Sequence, residues 1–423
     1  MTISSKNARQ HASIPLWRNR DYVLLWSGQT ISTIGGSVSL LAFPLLVLAV
    51  TGSALQSSIA LALRTLPRTL SMFFAGALVD RWDRKRVMIA CDIGRALSIA
   101  SIPLALSLGH LTFAQLCFNA FLEGTLQSFF EVAYSSSLGQ VVSGEQLSAA
   151  MGQEEVVEGI TSLLGPSLAG LLYGVASLLP FLADAISYTA SFVTLFLIRT
   201  PFQQVRTDAR RHLILEIREG FAWMWRQPVL RTMNLVNSVG ALIIPGSTLV
   251  LIVLAKQQHA SDTLLGAVVA CGGIGALISS LLSPLIQRTL HVGRAILITR
   301  WAFALLWLLY MLLPHFWLLG VVEFLIGFAD PIEDVPYFSY RLAIIPDHLR
   351  GRVISACRLF TSVSNPLGLL LTGWSLEHWG TAPTIIIASV VLGATALALS
   401  CSRAIRQARH PQPETYTFSG NEQ

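Results

Sequence analysis

Charge is scarce in this 423-residue chain: Asp, Glu, Lys and Arg make up 12% of it, against 53% hydrophobic residues. A soluble domain carries about 25% charged residues, so half the usual surface charge is missing. Cysteine is scarce too. Cys91, Cys117, Cys271, Cys357 and Cys401 lie in or beside apolar segments, with no CxxC or metal-ligand spacing. They read as small core hydrophobes, and neither a metal nor a cofactor is expected. There is no P-loop, no HExxH, no G-x-S-x-G and no cluster of histidines. ATP-driven pumping and common hydrolytic chemistry therefore lack support, and no enzyme is expected. The first twenty residues hold Lys6, Arg9, Arg18 and Arg20 without a long apolar stretch, so no cleavable signal peptide is expected.

What is present is hydrophobic length. Mean hydropathy is +0.61, and runs of roughly 20 apolar residues, the length that crosses a bilayer as a helix, recur end to end. The runs fall at 22–50, 54–79, 87–108, 112–138, 147–173, 178–199, 229–255, 263–287, 294–313, 316–340, 351–373 and 380–401. The breaks between them alternate in character. One set is short and nearly free of Lys and Arg, with Lys256 as its clear exception. The other carries Arg81, Arg84, Lys85 and Arg86, a basic stretch from Arg199 to Arg231, then Arg288, Arg294, Arg350, Arg352 and the Arg403–Arg409 tail. With the N-terminal tail, 22 of the 29 Lys and Arg fall on that one side. The positive-inside rule then puts both termini in the cytoplasm. It also explains the net charge of +6 without invoking nucleic acid.

The chain divides into a cytoplasmic tail (1–20), a six-helix half (21–199), a basic linker (200–228), a second six-helix half (229–402) and a polar tail (403–423). The linker holds Leu213, Ile214, Leu215, Ile217, Phe221 and Trp225 in an amphipathic pattern, which predicts a cytoplasmic interfacial helix. The two halves repeat. Phe121, Leu122, Gly124, Glu131, Tyr134 and Ser136 match Phe324, Leu325, Gly327, Asp334, Tyr337 and Ser339 at one offset of 203 residues. Parallel repeats of this kind place substrate at their interface near the bilayer midplane.

After the second span comes Gly76-Ala77-Leu78-Val79-Asp80-Arg81-Trp82-Asp83-Arg84-Lys85-Arg86. It resembles the loop 2–3 signature of the major facilitator superfamily. On physical grounds Gly76 permits close helix approach, Asp80 caps and pairs, and Arg81, Arg84 and Lys85 face anionic headgroups. Further segments resemble the macrolide-efflux and enterobactin-exporter branch, the third drug:proton antiporter family. They are Asn19-Arg20-Asp21-Tyr22, Gly144-Glu145-Gln146-Leu147, Asp184-Ala185-Ile186-Ser187-Tyr188 and Arg218-Glu219-Gly220. Gly165-Pro166 with Gly170 resembles the antiporter motif of span five, which implies export. The arginine typical of span four in other drug antiporters is absent, with Asn119 and Glu123 in its neighbourhood.

Ionisable residues within spans are costly, about 2.5–3.5 kcal/mol at the bilayer centre, so each needs a partner or a task. A low-dielectric cavity disfavours the charged carboxylate and lets it take up and release a proton in each cycle. Glu123 and Glu158 are the first candidates for proton coupling, with Glu131 and Glu154 behind them. Arg64, Arg68, Arg300, Phe43 and Trp301 are candidates to line the substrate cavity, while Asp92 and Arg95 read as a structural pair.

Together these readings predict an all-α membrane protein of twelve spans in two pseudo-symmetric halves. The resemblance implies a monomeric, proton-coupled exporter of bulky lipophilic compounds in a bacterial inner membrane, working in the lipid bilayer on a small-molecule substrate and protons. The alternative is a dedicated siderophore or lysophospholipid exporter on the same fold.

Overall fold

The computed structural model describes residues 15–71, 75–202, 213–289, 291–346 and 349–406. Among them the regular structure is helical. The helices are α1 (Arg20–Thr51), α2 (Ala54–Ser71), α3 (Ala75–Val79), α4 (Arg84–Ser107), α5 (Phe113–Val141), α6 (Gly144–Val175), α7 (Leu179–Leu197) and α8 (Leu213–Arg226). They continue with α9 (Pro228–Gly240), α10 (Ser247–Gln257), α11 (Asp262–Thr289), α12 (Val292–Leu312), α13 (Leu319–Ile344), α14 (Arg350–Trp379), α15 (Thr381–Cys401) and α16 (Arg403–Arg406).

Nine helical segments among the described residues are long and apolar enough to cross a membrane, with α9 and α10 counted as one segment, Pro228–Gln257. The helices α2, α5 and α13 complete the twelve predicted spans but are absent from that set. They carry Arg64 and Arg68, Asn119, Glu123 and Glu131, and Glu323, Asp330, Glu333 and Asp334.

Local signals set the helix ends. Asn19 caps α1 by accepting from the Tyr22 amide at 3.2 Å, and its Nδ2 donates to the Val141 carbonyl at 2.8 Å. Gly52 closes α1 in the left-handed region, with φ at 70°, a conformation that needs no Cβ. Asp83 caps α4 and Thr112 caps α5. Prolines sit inside α1, α2, α4, α6, α13 and α14, as spanning helices tolerate when neighbours satisfy the freed carbonyls.

The chain forms two compact units: Met1–Ala209 with Leu251–Ala270, and Arg210–Val250 with Cys271–Gln423. In unit 1, α1 packs along α6 and α7, and α5 packs along α2 and α4. Its core is built around Tyr22, Met88, Phe130, Phe181 and Tyr188, each less than 2% exposed. In unit 2, α12 packs against α13 and α15, and α8 lies along α14. Glu219 of α8 pairs with Arg352 of α14 at 2.6 Å, and Phe221 stacks on Phe360. The linker is helical from Leu213, as its pattern predicts; the linker residues 203–212 lie outside the described residues.

The repeat of the sequence is a repeat of packing. A Cβ on Gly124 would lie 2.0 Å from the Arg64 carbonyl oxygen of α2, and one on Gly327 would lie 1.9 Å from the Gly272 carbonyl oxygen of α11. Equivalent glycines thus make equivalent backbone approaches in the two units. Gly76 differs from its expected role: a Cβ there meets nothing within 4 Å, because the residue sits on an open face. Close contacts in unit 1 fall instead on Gly28, Gly35, Gly124, Gly165 and Gly170, among others.

Candidate functional site

Side chains of α1, α2, α4, α5, α6 and α7 line an open cavity of about 520 Å³ within unit 1. Arg64 and Arg68 reach it from α2, one turn apart and so on one face. Glu123 and Glu131 reach it from α5 and Glu158 from α6. Five of the ionisable residues singled out from the sequence therefore line one space. Glu154 does not line it: its carboxylate accepts a hydrogen bond from the Tyr134 hydroxyl in the packing between α5 and α6.

Glu123 is the most confined of these groups. Arg64 Nε lies 2.5 Å from its Oε2, the Tyr188 hydroxyl donates to Oε1 at 3.1 Å, and Arg95 Nη2 lies 4.0 Å away. Arg95 also donates to the Tyr188 hydroxyl at 2.7 Å and pairs with Asp92 at 3.6 Å. The side chains of Arg64 and Glu123 are only 12% and 4% exposed, so little solvent competes for the pair. A buried charge of this kind is held in place by its partners, and removing one strands the other. Nearer the rim, Arg68 pairs with Glu131 at 3.3 Å, and Gln127 Nε2 donates to the same carboxylate at 2.8 Å. Glu158 has no ion-pair partner among the described residues, although it faces the same cavity.

Several cavity residues carry little signal in the sequence. Arg95 pairs with Asp92 as expected, but it also lines the cavity. Tyr188 stands out only within a motif of resemblance. Gln29, Ser32, Thr33 and Ser37 form a polar stripe down α1 at helical spacing, and this periodicity inside an apolar run is the signal that could have found them. The small side chains follow from space: a Cβ on Gly165 of α6 would lie 1.8 Å from Ser37 Oγ.

The remaining candidates lie elsewhere. Phe43 is 2% exposed and packs in the unit 1 core with Ile99, Leu116 and Phe181. Trp301 is 41% exposed and its indole N–H donates to Ser400 Oγ at 3.2 Å. Arg300 lines a smaller cavity of about 250 Å³ within unit 2, where its Nε donates to Glu333 at 3.0 Å and Thr299 donates to the same carboxylate at 2.9 Å. Asp330, Asp334, Asn237 and Asn365 share that cavity.

The loop motif works as a staple. Arg84 is 8% exposed; it pairs with Asp80 at 3.0 Å and donates to the carbonyls of Ser136 and Phe202 at 3.2 and 3.4 Å. Lys85 Nζ donates to the Ile198 carbonyl at 2.6 Å. The end of α5 and the segment after α7 are thereby tied to the start of α4. Arg81 stays exposed. On α6, a Cβ on Gly170 would lie 2.5 Å from the Asp262 carbonyl oxygen of α11, so α6 and α11 touch backbone to backbone within unit 1.

The family model described as Major Facilitator Superfamily matches residues 25–299 and 244–419. The "Multidrug efflux pump Tap" of Mycolicibacterium fortuitum is 28% identical over 394 residues, covering 89% of this chain and 95% of the relative. "Macrolide efflux protein A" of Streptococcus pyogenes is 25% identical, covering 92% and 98%. Among solved structures, the nucleoside transporter NupG superposes with a TM-score of 0.72 at 11% identity, covering 91% of this chain and 100% of that one. A bacterial homologue of the lysosomal transporter Spinster gives 0.71 at 15% identity, covering 94% and 99%.

Proposed function

This chain belongs to the Major Facilitator Superfamily, and on that premise we propose that it exports bulky lipophilic compounds in exchange for protons. The export operates by alternating access across a bacterial inner membrane, with both termini in the cytoplasm and one chain as the working unit. The observation that carries this reading is the unit 1 cavity, where a confined Arg64–Glu123 pair faces the same space as Glu158, which has no ion-pair partner among the described residues. The names of the relatives support the direction of transport and the kind of cargo.

Glu158 is the residue that meets the cargo's charge or a proton. Its carboxylate is exposed on the cavity wall, within reach of either one, so the two compete there. Glu123 responds differently. A proton on it removes the charge that holds Arg64, which then swings towards Glu158 or Glu131; the Arg64–Glu123 pair is the element whose two states differ. Glu131 and Glu154 stand behind as further proton carriers. Asp80, Arg84 and Lys85 brace the helices that move, and Gly165, Pro166 and Gly170 let α6 bend against its neighbours.

The charge census of the cavity favours neutral or cationic cargo. Arg64, Arg68 and Arg95 each have a carboxylate within 4.0 Å, so an anionic siderophore finds no unpaired cation among the described lining residues. A dedicated siderophore exporter is therefore the weaker reading. Efflux into inverted membrane vesicles, across a panel of lipophilic compounds with an imposed pH gradient, tests the proposal. Acid inside the vesicle is expected to drive accumulation. Transport that survives collapse of the gradient would overturn proton coupling, and normal pH-driven transport by Glu123→Gln and Glu158→Gln would remove both residues as carriers.

A further inference from the structure

Tyr188 closes the Asp184-Ala185-Ile186-Ser187-Tyr188 motif and is wholly buried on α7, with its hydroxyl between Arg95 of α4 and Glu123 of α5. Arg95 Nη2 donates to the hydroxyl oxygen at 2.7 Å, and the hydroxyl donates to Glu123 Oε1 at 3.1 Å. A guanidinium carries donors only and is not deprotonated in proteins. The Tyr188 oxygen therefore accepts on the Arg95 side, and its single hydrogen is left for Glu123. Arg95 is held firmly in this place. It is 4% exposed and pairs with Asp92 at 3.6 Å. Its guanidinium carbon lies 3.9 Å from the centre of the Tyr188 ring and 5.6 Å from that of Phe130.

Glu123 thus presents two oxygens in different company. Oε1 receives the Tyr188 hydrogen, and Oε2 faces Arg64 Nε at 2.5 Å. The other charged and titratable groups facing this carboxylate stand further off. They are Arg95 with Asp92 behind it, Asp184 of α7, and, around the cavity, Glu158 and the Arg68–Glu131 pair. Among the described residues only Arg64 and Tyr188 come within hydrogen-bond distance of its oxygens. A proton on Oε1 would meet the Tyr188 hydrogen head-on unless the hydroxyl turned. A turned hydroxyl would point its hydrogen at the donors of Arg95. Oε2 is the oxygen left open to a proton, and Arg64 is what the proton displaces.

We propose that Tyr188, oriented by Arg95, is a positioning residue that sends the coupling proton to Oε2 of Glu123, the oxygen that Arg64 holds. A hydronium ion in the cavity gives its proton to Oε2. An O–H bond forms there, the Arg64 Nε–H···Oε2 contact breaks, and the Tyr188 O–H bond stays intact. Glu123 becomes neutral and Arg64 leaves as a free cation. Without the Tyr188 hydrogen, the proton settles on Oε1 instead, Oε2 remains an acceptor, and Arg64 stays where it is. This role rests on the proton-exchange reading above and names the atom on which it turns.

Infrared difference spectra of the full chain in proteoliposomes, taken between neutral and acid pH, test the assignment. The carboxylic C=O band that disappears in Glu123→Gln belongs to Glu123. In the wild type that carbonyl is Oε1, bonded by the neutral Tyr188 hydroxyl. In Tyr188→Phe it is expected to become Oε2, bonded by the charged Arg64, and the band moves to lower wavenumber because a charged donor bonds more strongly. A band that moves higher instead, as a carbonyl without a donor does, would overturn the positioning role. Arg95→Gln and Arg95→Lys decide the matter if Tyr188→Phe fails to fold. An amide offers the hydroxyl either an acceptor or a donor, so Arg95→Gln is expected to show both bands; Arg95→Lys, donor-only again, shows the wild-type band alone. One unshifted band in Arg95→Gln would count against the role as well. Transport is read in the same vesicles with acid inside and the membrane potential clamped by valinomycin. The probe is tetraphenylphosphonium, a permanently charged lipophilic cation that a pH gradient alone does not move. Tyr188→Phe is expected to lower its accumulation about tenfold, the scale of one hydrogen bond to a charged group. Wild-type accumulation by Tyr188→Phe would overturn the positioning role alone. A wild type that shows the Glu123 band but accumulates no probe would overturn the export reading, and the spectra would still decide the role of Tyr188. A wild type without that band would remove Glu123 as carrier and this assignment with it.

Discussion

Glu123 and Glu158 share a cavity and differ in company, and their substitutions should separate accordingly. Glu123→Gln leaves Arg64 buried without its anion, so it should cost about 3–5 kcal/mol of stability as well as transport. Replacing the pair together, Arg64→Met with Glu123→Leu, should restore most of the thermal stability without restoring transport. Thermal unfolding of the detergent-solubilised variants checks this, and a double variant no more stable than Glu123→Gln would refute it. Glu158→Gln breaks no ion pair among the described residues. Its melting temperature should match the wild type while pH-driven transport fails; a large loss of stability would show that Glu158 has a structural partner after all. At this scale the sequence is informative where a residue is out of place: a carboxylate or guanidinium in an apolar run stands out by its cost. Tyr188 and Ser37 do not stand out, since such residues suit many spanning helices. Phe43 and Trp301 show the converse, because an aromatic residue in a span has no preferred destination until its helix face is known.

Helices α5 and α6 owe their close packing to single glycines. Gly124→Ala would drive a methyl group into the Arg64 carbonyl, a backbone atom that cannot rotate away. Gly170→Ala would do the same to the Asp262 carbonyl. Each should cost about 1–3 kcal/mol, as overpacking does. Gly76→Ala meets open space and should stay within about 0.5 kcal/mol of wild type, as surface substitutions do. Thermal stability measured across the three variants checks the contrast, and equal losses in all three would undo it. Arg84→Ala should cost about 1–3 kcal/mol, because the carbonyls of Ser136 and Phe202 lose their donor. Asp80→Asn should cost less, since Asp80 is the more exposed partner of that pair. The motif was legible as a string, yet the string does not say which glycine touches a neighbour. That depends on which side of the helix the chain later covers.

Across the whole molecule, the distribution of basic residues makes a topological prediction. A cysteine at Gln258, in the Lys256–Asp262 break, should react with an impermeant maleimide in intact cells, while one at Arg409 should react only after permeabilisation. The reverse pattern would invert the proposed orientation. The twelve spans, the parallel repeat and the family were all readable from the chain, because hydrophobic length, charge asymmetry and motif spacing are one-dimensional quantities that the bilayer itself enforces. The tertiary structure decided what no string contains: that Arg64, Glu123 and Tyr188, from three different helices, meet at one point, and that Glu158 faces the same cavity with no paired cation among the described residues. Pairing is a property of distances between helices. A sequence records which charges exist, and only the packing of helix faces settles which of them neutralise one another.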